Sequence, residues 1–495
     1  MMSLHAIPRI MISAPASSSG KTTVMCALLK LLPNAAAIKC GPDFIDPLFH
    51  RSVLGSQTGN VDLFFTPPEK ARSIFAHDVA GADIAVLEGA MGYYDGAGST
   101  EQASAYDTAH ALSCPVILVV DAKGKSLSVC AEINGFASFR EQNGGRSGIA
   151  GVILNRCSSA LYERLSVAIE QECGIRALGY LEQHADFEIK SRHLGLATPD
   201  AVQDLQKKLN AIADAAKKSL NIEEIERIAK SAPPLECEDV LFCAEKVGAD
   251  GDQPAVSIAV AQDEAFCFYY RENLDLLKAC GARLVPFSPL RDKLLPAGCH
   301  ALYVGGGYPE LFPVQLAENT TMLQSVRAFC RSGAPVFAEC GGFLYLKLAG
   351  VLNGTFENKQ KLVRFGYIIL TANEDTLLCK KGEQIRAHEF HYFDTTQNGN
   401  AFTAEKVSGA SWHCIEACAP VAEMHAAGCT ACAPQTKNIV AGFPHLYFAS
   451  NPAFARNFVH AAHDFAAQKK AGCAWCGGCA AEQGCGGCSK HDDRK

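Results

Sequence analysis

Two stretches of this chain carry residues of types and spacings that could do acyl chemistry, and they lie far apart. The first is Pro15-Ala-Ser-Ser-Ser19-Gly20-Lys21-Thr22-Thr23, set between an apolar run at 9–14 and a helical pattern at 24–32. A strand, a loop and a helix in that order form a phosphate cradle. Backbone N–H groups at the helix N-terminus surround the oxygens, and a lysine neutralises the β- and γ-phosphates. This predicts an ATP site at Ser19, Gly20, Lys21, Thr22 and Thr23, with the Thr22 hydroxyl on Mg²⁺. Pro15 stands where the strict pattern wants glycine, so the flanking context has to carry weight. That context is acidic. Asp43 and Asp46 in Gly41-Pro-Asp-Phe-Ile-Asp46, and Glu88 in Glu88-Gly-Ala-Met-Gly, each follow a predicted strand. In an open α/β sheet those carboxyl ends face the ligand crevice. Mg²⁺ takes a few carboxylates with phosphate oxygens and water, so Thr22, Asp43, Asp46 and Glu88 are the candidate metal set.

The second stretch is Pro335-Val-Phe-Ala-Glu-Cys340-Gly-Gly. An apolar strand that stops at a cysteine before two glycines resembles a nucleophile elbow, which presents one side chain on a sharp strand-to-helix turn. A thiol at a helix N-terminus is expected to have its pKa lowered below the usual value of about 8.5. Upstream, Gly305-Gly-Gly307 follows another strand, and its N–H groups are candidates for an oxyanion hole. The general base proposed for Cys340 is His445, distant in sequence as such partners usually are.

The elements that must hold these residues read as α/β; two domains, each a mostly parallel sheet. Apolar runs at 9–14, 84–87, 115–120 and 151–154 alternate with helical patterns and predict a P-loop doubly wound parallel sheet. The alternation resumes at 257–260, 283–286, 301–304 and 335–338. The expected division is 1–200 for the ATP-binding unit, 201–255 for a helical segment and linker, 256–452 for the cysteine-bearing unit, and 453–495 for a helix and a Cys/Gly-rich tail. A formal net charge of −7 with no basic stripe argues against a nucleic-acid partner. No run approaches the roughly 18 apolar residues needed to span a bilayer. The N-terminus does not read as a signal peptide, so the 23 cysteines predict a reduced, cytoplasmic protein.

Longer strings carry a family resemblance. They are Lys39-Cys-Gly-Pro-Asp-Phe-Ile-Asp-Pro47, Glu88-Gly-Ala-Met-Gly-Tyr-Tyr-Asp-Gly96, Arg192-His-Leu-Gly-Leu196, Asp263-Glu-Ala-Phe-Cys-Phe-Tyr-Tyr270, Gly305-Gly-Gly-Tyr-Pro-Glu310, Ala338-Glu-Cys-Gly-Gly342 and His388-Glu-Phe-His-Tyr392. In this order they resemble the cobalamin-pathway glutamine amidotransferases with a dethiobiotin-synthetase-like ATPase domain, and among them the cobyrinate a,c-diamide synthases. The resemblance runs from Arg9 to Pro452. It implies a class I-type glutamine amidotransferase domain after the ATPase, and a ligase that amidates the a and c carboxylates of a corrinoid. ATP would make an acyl phosphate and glutamine would supply ammonia. Cys340 matches the family nucleophile and His445 the residue that sharpens it. Hydrogenobyrinate and nickel sirohydrochlorin share these words, so the tetrapyrrole stays open, as does the oligomeric state. A reading from another class is a P-loop partner-binding switch with an inactive amidotransferase domain. Where the family commonly reads His-Leu-His, this chain has His445-Leu446-Tyr447, which predicts a Cys–His dyad with no orienting carboxylate. The segment with His413, Cys414, Cys418, His425, Cys429 and Cys432 looks foreign to the family, and the tail adds Cys473, Cys476, Cys479, Cys485 and Cys488. Their spacing suits Zn²⁺ or an iron–sulfur cluster, whereas a Gly/Cys-rich tail by composition defaults to disorder.

Overall fold

The computed structural model describes residues 2–140, 145–184, 187, 199–238, 256–420 and 437–475. Its first layer is a seven-stranded sheet in the spatial order Thr58–Val61, Ala35–Cys40, Ile84–Glu88, Arg9–Ser13, Val116–Asp121, Ile149–Asn155 and Arg176–Leu181. Every neighbouring pair is parallel. Ile10, Ile12, Val86 and Val119 are fully buried on one face, and Met11, Leu87 and Leu118 on the other. Burial of both faces is why these strands read as unbroken apolar runs. The helices Pro199–Ser219 and Ile222–Lys230 lie on this sheet: Ile212, Ala216, Ile225 and Ile228 enter the same core as Ile10 and Val24. Leu235–Glu238 then returns to pair antiparallel with Met2–His5. The buried Arg9 guanidinium ties that return down, donating to the carbonyls of Leu112 and Pro233 at 2.7 Å each.

The second unit is built on a six-stranded sheet. Arg283–Phe287, Ser257–Ala261, Ala301–Val304, Val336–Glu339 and Ile439–Gly442 run parallel, and Glu416–Cys418 closes one edge antiparallel. A feature not anticipated from sequence stands beside it. Ser411–Cys414, Phe402–Glu405, Arg364–Ala372, Gln384–His391 and His445–Leu446 form an antiparallel five-stranded sheet. Four of its strands lie in sequence between the parallel strands Val336–Glu339 and Ile439–Gly442, and the short His445–Leu446 strand follows the latter. The helix Ala453–Trp475 packs on the second unit, burying Phe454, Phe458 and Val459. No helix among the described residues is long and apolar enough to cross a membrane. The string at 192–196, and His425, Cys429, Cys432, Cys476, Cys479, Cys485 and Cys488, lie outside the described residues.

The two units meet along an aromatic seam. Phe65 stacks on Tyr447 at 4.7 Å, Phe64 on Tyr367 at 4.3 Å, and the Tyr367 hydroxyl donates to Asp62 at 2.8 Å. Tyr447 is thus a packing residue of this seam.

Candidate active sites at two sheet ends

The Lys21–Leu31 helix begins where the Arg9–Ser13 strand ends. Gly20 adopts φ 102°, and a Cβ there would run into the amide of Asn155, which donates to the Ser19 carbonyl at 2.9 Å. Only glycine fits this left-handed, crowded position. The Ser19 hydroxyl donates to the Ala16 carbonyl at 2.9 Å, and the Lys21 ammonium to the carbonyls of Met91 and Ala16 at 2.5 and 3.2 Å. Lys21 therefore folds back over the loop, and burial lowers its pKa to about 8. Thr22 donates to Glu88 Oε1 at 2.7 Å, and Thr23 sits in the same first helical turn.

The acidic residues meet an ammonium that the candidate list lacked. Lys39, buried on the next strand, lies 2.5 Å from Asp46, 3.5 Å from Glu88 and 3.7 Å from Asp43. Burial alone would strip its proton, but the three carboxylates outweigh burial and hold its pKa well above the usual value. Asp46 keeps its charge because Lys39 overrides the cost of burial. Burial pushes Asp43 and Glu88 upward despite Lys39. Asp43 also accepts the N–H of Ile45 at 2.8 Å, fixing the start of the Ile45–Leu54 helix. Asp43 and Asp46 thus direct their charge at Lys39. Among the described residues no group of three or more His, Cys, Asp or Glu side chains is arranged to hold a metal ion. One atom does invite a ligand: Glu88 Oε2 is buried with no hydrogen-bond partner, beside the Thr22 hydroxyl. A carboxylate and a hydroxyl at a phosphate loop are a donor set suited to Mg²⁺ with phosphate and water completing the shell. Lys39 was legible as part of a quoted string, but a lone lysine in a strand gives no sign that three acids fold around it.

Cys340 joins the Val336–Glu339 strand to the Gly341–Leu348 helix at φ 48° and ψ −104°, a conformation that non-glycine residues avoid. The expected elbow is present. A Cβ on Gly342 would strike the Val304 carbonyl, and one on Gly341 would press on Pro309 and the Gly307 nitrogen, so both glycines allow the tight approach. Adjacent parallel strands bring Gly305–Gly307, Cys340 and Gly442 to one end of the sheet, with the Cys340 N–H donating to the Gly442 carbonyl at 2.7 Å. His445 follows three residues later, and a Cβ on Gly306 would collide with its imidazole. Nδ1 of His445 is buried with no hydrogen-bond partner among the described residues. Glu339 does not orient it: Oε1 accepts the Leu446 N–H and Oε2 the Tyr303 hydroxyl, each at 2.7 Å.

The thiol differs from expectation. Burial, with the charges of Glu310, Glu339 and Glu389, pushes Cys340 up to about 12 and outweighs the helix N-terminus. Its partner moves the opposite way. Burial holds His445 well below 6.5, and the neighbouring His388 and His391 lower it further. The resting pair is a neutral thiol and a neutral imidazole. His388 lies opposite His445 in the antiparallel register, rings 5.8 Å apart, and was visible in sequence only as part of a quoted string. Between the sites sits Phe44, which caps the Ile45–Leu54 helix, with ring centroids 5.0 Å from His445 and 5.3 Å from Phe268.

Gly305 offers less to an oxyanion than expected, because its N–H is taken by the Tyr269 hydroxyl at 2.8 Å. Of the cysteine-rich segment, Cys414 is fully buried in the core and Cys418 lies on the edge strand.

The family profile of the CobB/CobQ-like glutamine amidotransferase domain matches residues 257–453. Similar whole chains carry the name cobyrinate a,c-diamide synthase. That of Caldanaerobacter subterraneus subsp. tengcongensis is 36% identical over 424 residues, covering 82% of this chain and 91% of its own. That of Picrophilus torridus is 34% identical over 473 residues, covering 92% and 99%. That of Dehalococcoides mccartyi is 35% identical over 482 residues, again covering 92% and 99%.

Proposed function

The chain belongs to the cobyrinate a,c-diamide synthase family of amidating ligases, and we propose that it converts the a and c carboxylates of cobyrinate to amides, using ATP and glutamine. The observation that carries this reading is the pairing of two operations in one chain. A phosphate loop with Thr22 and Glu88 adjoins a carboxylate-and-lysine cluster, and a strained cysteine elbow stands at the same sheet end as a neutral buried histidine.

At the elbow, His445 takes the thiol proton as the sulfur attacks the carboxamide carbon of glutamine. The tetrahedral oxyanion falls to the N–H groups of Gly307 and Gly341. Collapse of that intermediate expels ammonia, which receives the proton from the imidazolium, and water then hydrolyses the thioester to glutamate. A neutral imidazole is the form that can act as base, so the low pKa of His445 suits the role. At the phosphate loop, Lys21 and the N–H groups around Gly20–Thr23 hold the triphosphate. Thr22 and Glu88 would hold Mg²⁺, which neutralises phosphate charge. Transfer of the γ-phosphoryl group to a substrate carboxylate oxygen gives an acyl phosphate and ADP, and ammonia displaces phosphate to leave the amide. Asp43 and Asp46, held by Lys39, shape the acceptor side.

The test is amide formation with glutamine, ATP and Mg²⁺, running cobyrinate, hydrogenobyrinate and nickel sirohydrochlorin side by side. Two amides on cobyrinate are expected. Amidation of nickel sirohydrochlorin alone would overturn the substrate assignment, and nucleotide-dependent partner binding without amidation of any of the three would overturn the enzyme.

A further inference from the structure

The antiparallel sheet presents one face toward the first unit. Ile369, Tyr367 and Phe365 alternate along one strand, opposite Arg386, His388 and Phe390 along its neighbour. The inner end of this face is covered: Arg386 donates to the Phe64 carbonyl, Tyr367 to Asp62, and Phe44 lies 6.3 Å from His388. The outer end is open. Phe365 is 53% exposed, Phe390 45% and Tyr392 40%, and the three rings meet edge to face at 5.6 and 5.8 Å. At the free edge of the same strand, where Arg364 alternates to the face opposite Phe365, is a groove of about 430 Å³ whose lining includes Leu362, Arg364, Phe365, Lys406 and Trp412. It is lined by two cations and no carboxylate. Lys406 is anchored on the Phe365 carbonyl at 2.7 Å, and the Arg364 guanidinium lies over Trp412 at 5.2 Å. The acid that interacts with both, Glu389, is buried.

We propose that this surface docks the macrocycle of the tetrapyrrole substrate, with Phe365, Phe390 and Tyr392 against the ring and Arg364 and Lys406 at its carboxylate-bearing rim. The assignment rests on the proposed function and adds the site by which that substrate is held. Three observations select the occupant. The open aromatics continue, on the same strand pair, the face that seals the cleft between the units. The hydroxyl of Tyr367 lies 3.7 Å from a Cβ built on Gly41, two residues before Asp43. Phe365 is two residues further along the strand, about 7 Å away at the usual rise, so a ring resting there places a short carboxylate arm toward the acidic loop. Finally, a polycarboxylate with a broad apolar ring complements aromatics edged by cations, and contiguous exposed aromatics rimmed by polar groups mark a surface that binds something.

The experiment compares the full-length protein with its Phe365→Ala/Phe390→Ala double variant and with Lys406→Gln. The readouts are KM for cobyrinate, KM for ATP and glutamine, kcat, and oligomeric state by sedimentation. The double variant is expected to raise KM for cobyrinate roughly tenfold or more, with the other two constants held. Phe390→Tyr is expected to retain the native value. Lys406→Gln is expected to raise KM a few-fold, an effect that shrinks with added salt. A native protein that amidates cobyrinate while the double variant keeps its KM overturns the docking site and leaves the activity standing. A multimer that dissociates in the double variant with KM unchanged assigns the face to a second copy and overturns it too. If the native protein amidates none of the three tetrapyrroles, the underlying function fails instead.

Discussion

The two active-site ends stand at the carboxyl edges of two parallel sheets, yet they handle burial in opposite ways. The phosphate end gathers ions: Lys39 sits within 3.7 Å of Asp43, Asp46 and Glu88, and each charge is tolerable because the others are present. The elbow end excludes ions: Cys340 is held protonated and His445 neutral, and the neighbouring Glu339 is pushed up to about 8. The difference follows the chemistry. A site for a triphosphate and a carboxylate must offset negative charge before substrate arrives. A site that makes ammonia profits from a base that stays uncharged and from a thiolate formed only when glutamine is in place.

The most severe way to separate the two ends is Cys340→Ser. Glutamine-dependent amidation should fall at least about a thousandfold, because a serine hydroxyl is a far weaker nucleophile toward an amide. Amidation fed by ammonium salts should persist near the native rate. Comparing rates with the two nitrogen sources checks this, and loss of both would remove Cys340 from the nucleophile role. Lys39→Met attacks the other end. Removing one partner of a buried ionic group costs about 3–5 kcal/mol, here because Asp46 and its neighbours are stranded. The melting temperature should drop, and amidation should fall with both glutamine and ammonia. A variant that melts normally and uses ammonia at the native rate would show that the cluster is not what sustains the acceptor site.

Gly306→Ala is a subtler cut. The added methyl would occupy the space of the His445 imidazole, so the ring must shift from Cys340. A displacement of this kind should lower glutamine-dependent turnover ten- to a hundredfold, in the range expected for a mispositioned general base. Ammonia-dependent turnover and melting temperature should change little. Equal loss with both nitrogen sources would mean the change travels into the cleft rather than stopping at the base.

Much of this division could be read before any coordinates. Gly20-Lys21-Thr22 and Cys340-Gly-Gly are local signatures, since loop, cap and elbow are built from adjacent residues. The parallel strands were legible because burial on both faces makes them continuous apolar runs. What stayed hidden depends on distant residues meeting. Lys39 reads as one cation in a strand until Asp46 and Glu88 close on it. The Arg364–Ala372 and Gln384–His391 strands are half exposed, so polar and apolar residues mix and the sheet passes unnoticed. The thiol of Cys340 departs from its sequence expectation for the same reason. Its position at a helix start is local and visible, whereas the burial that dominates its pKa is contributed by the whole surrounding fold.

The smallest expected effect tests whether charge exclusion at the elbow is real. Glu339 is fully buried, and burial raises its pKa from the ordinary 4.5 to about 8 despite hydrogen bonds from Leu446 and Tyr303. A carboxyl whose folded pKa is raised contributes stability that is complete below about pH 4.5. That contribution fades as pH climbs through about 8, because the unfolded chain ionises freely and the folded one does not. Glu339→Gln removes the ionisation. Its amide oxygen can accept the Leu446 N–H while its NH₂ donates to the Tyr303 hydroxyl oxygen, so the local bonds have a substitute. The native melting temperature should decline between pH 5 and 8 more steeply than that of the variant, with the two curves converging at the acidic end. Parallel curves across that range would mean that Glu339 is ionised in the native protein, and that the elbow tolerates a buried charge as the phosphate end does.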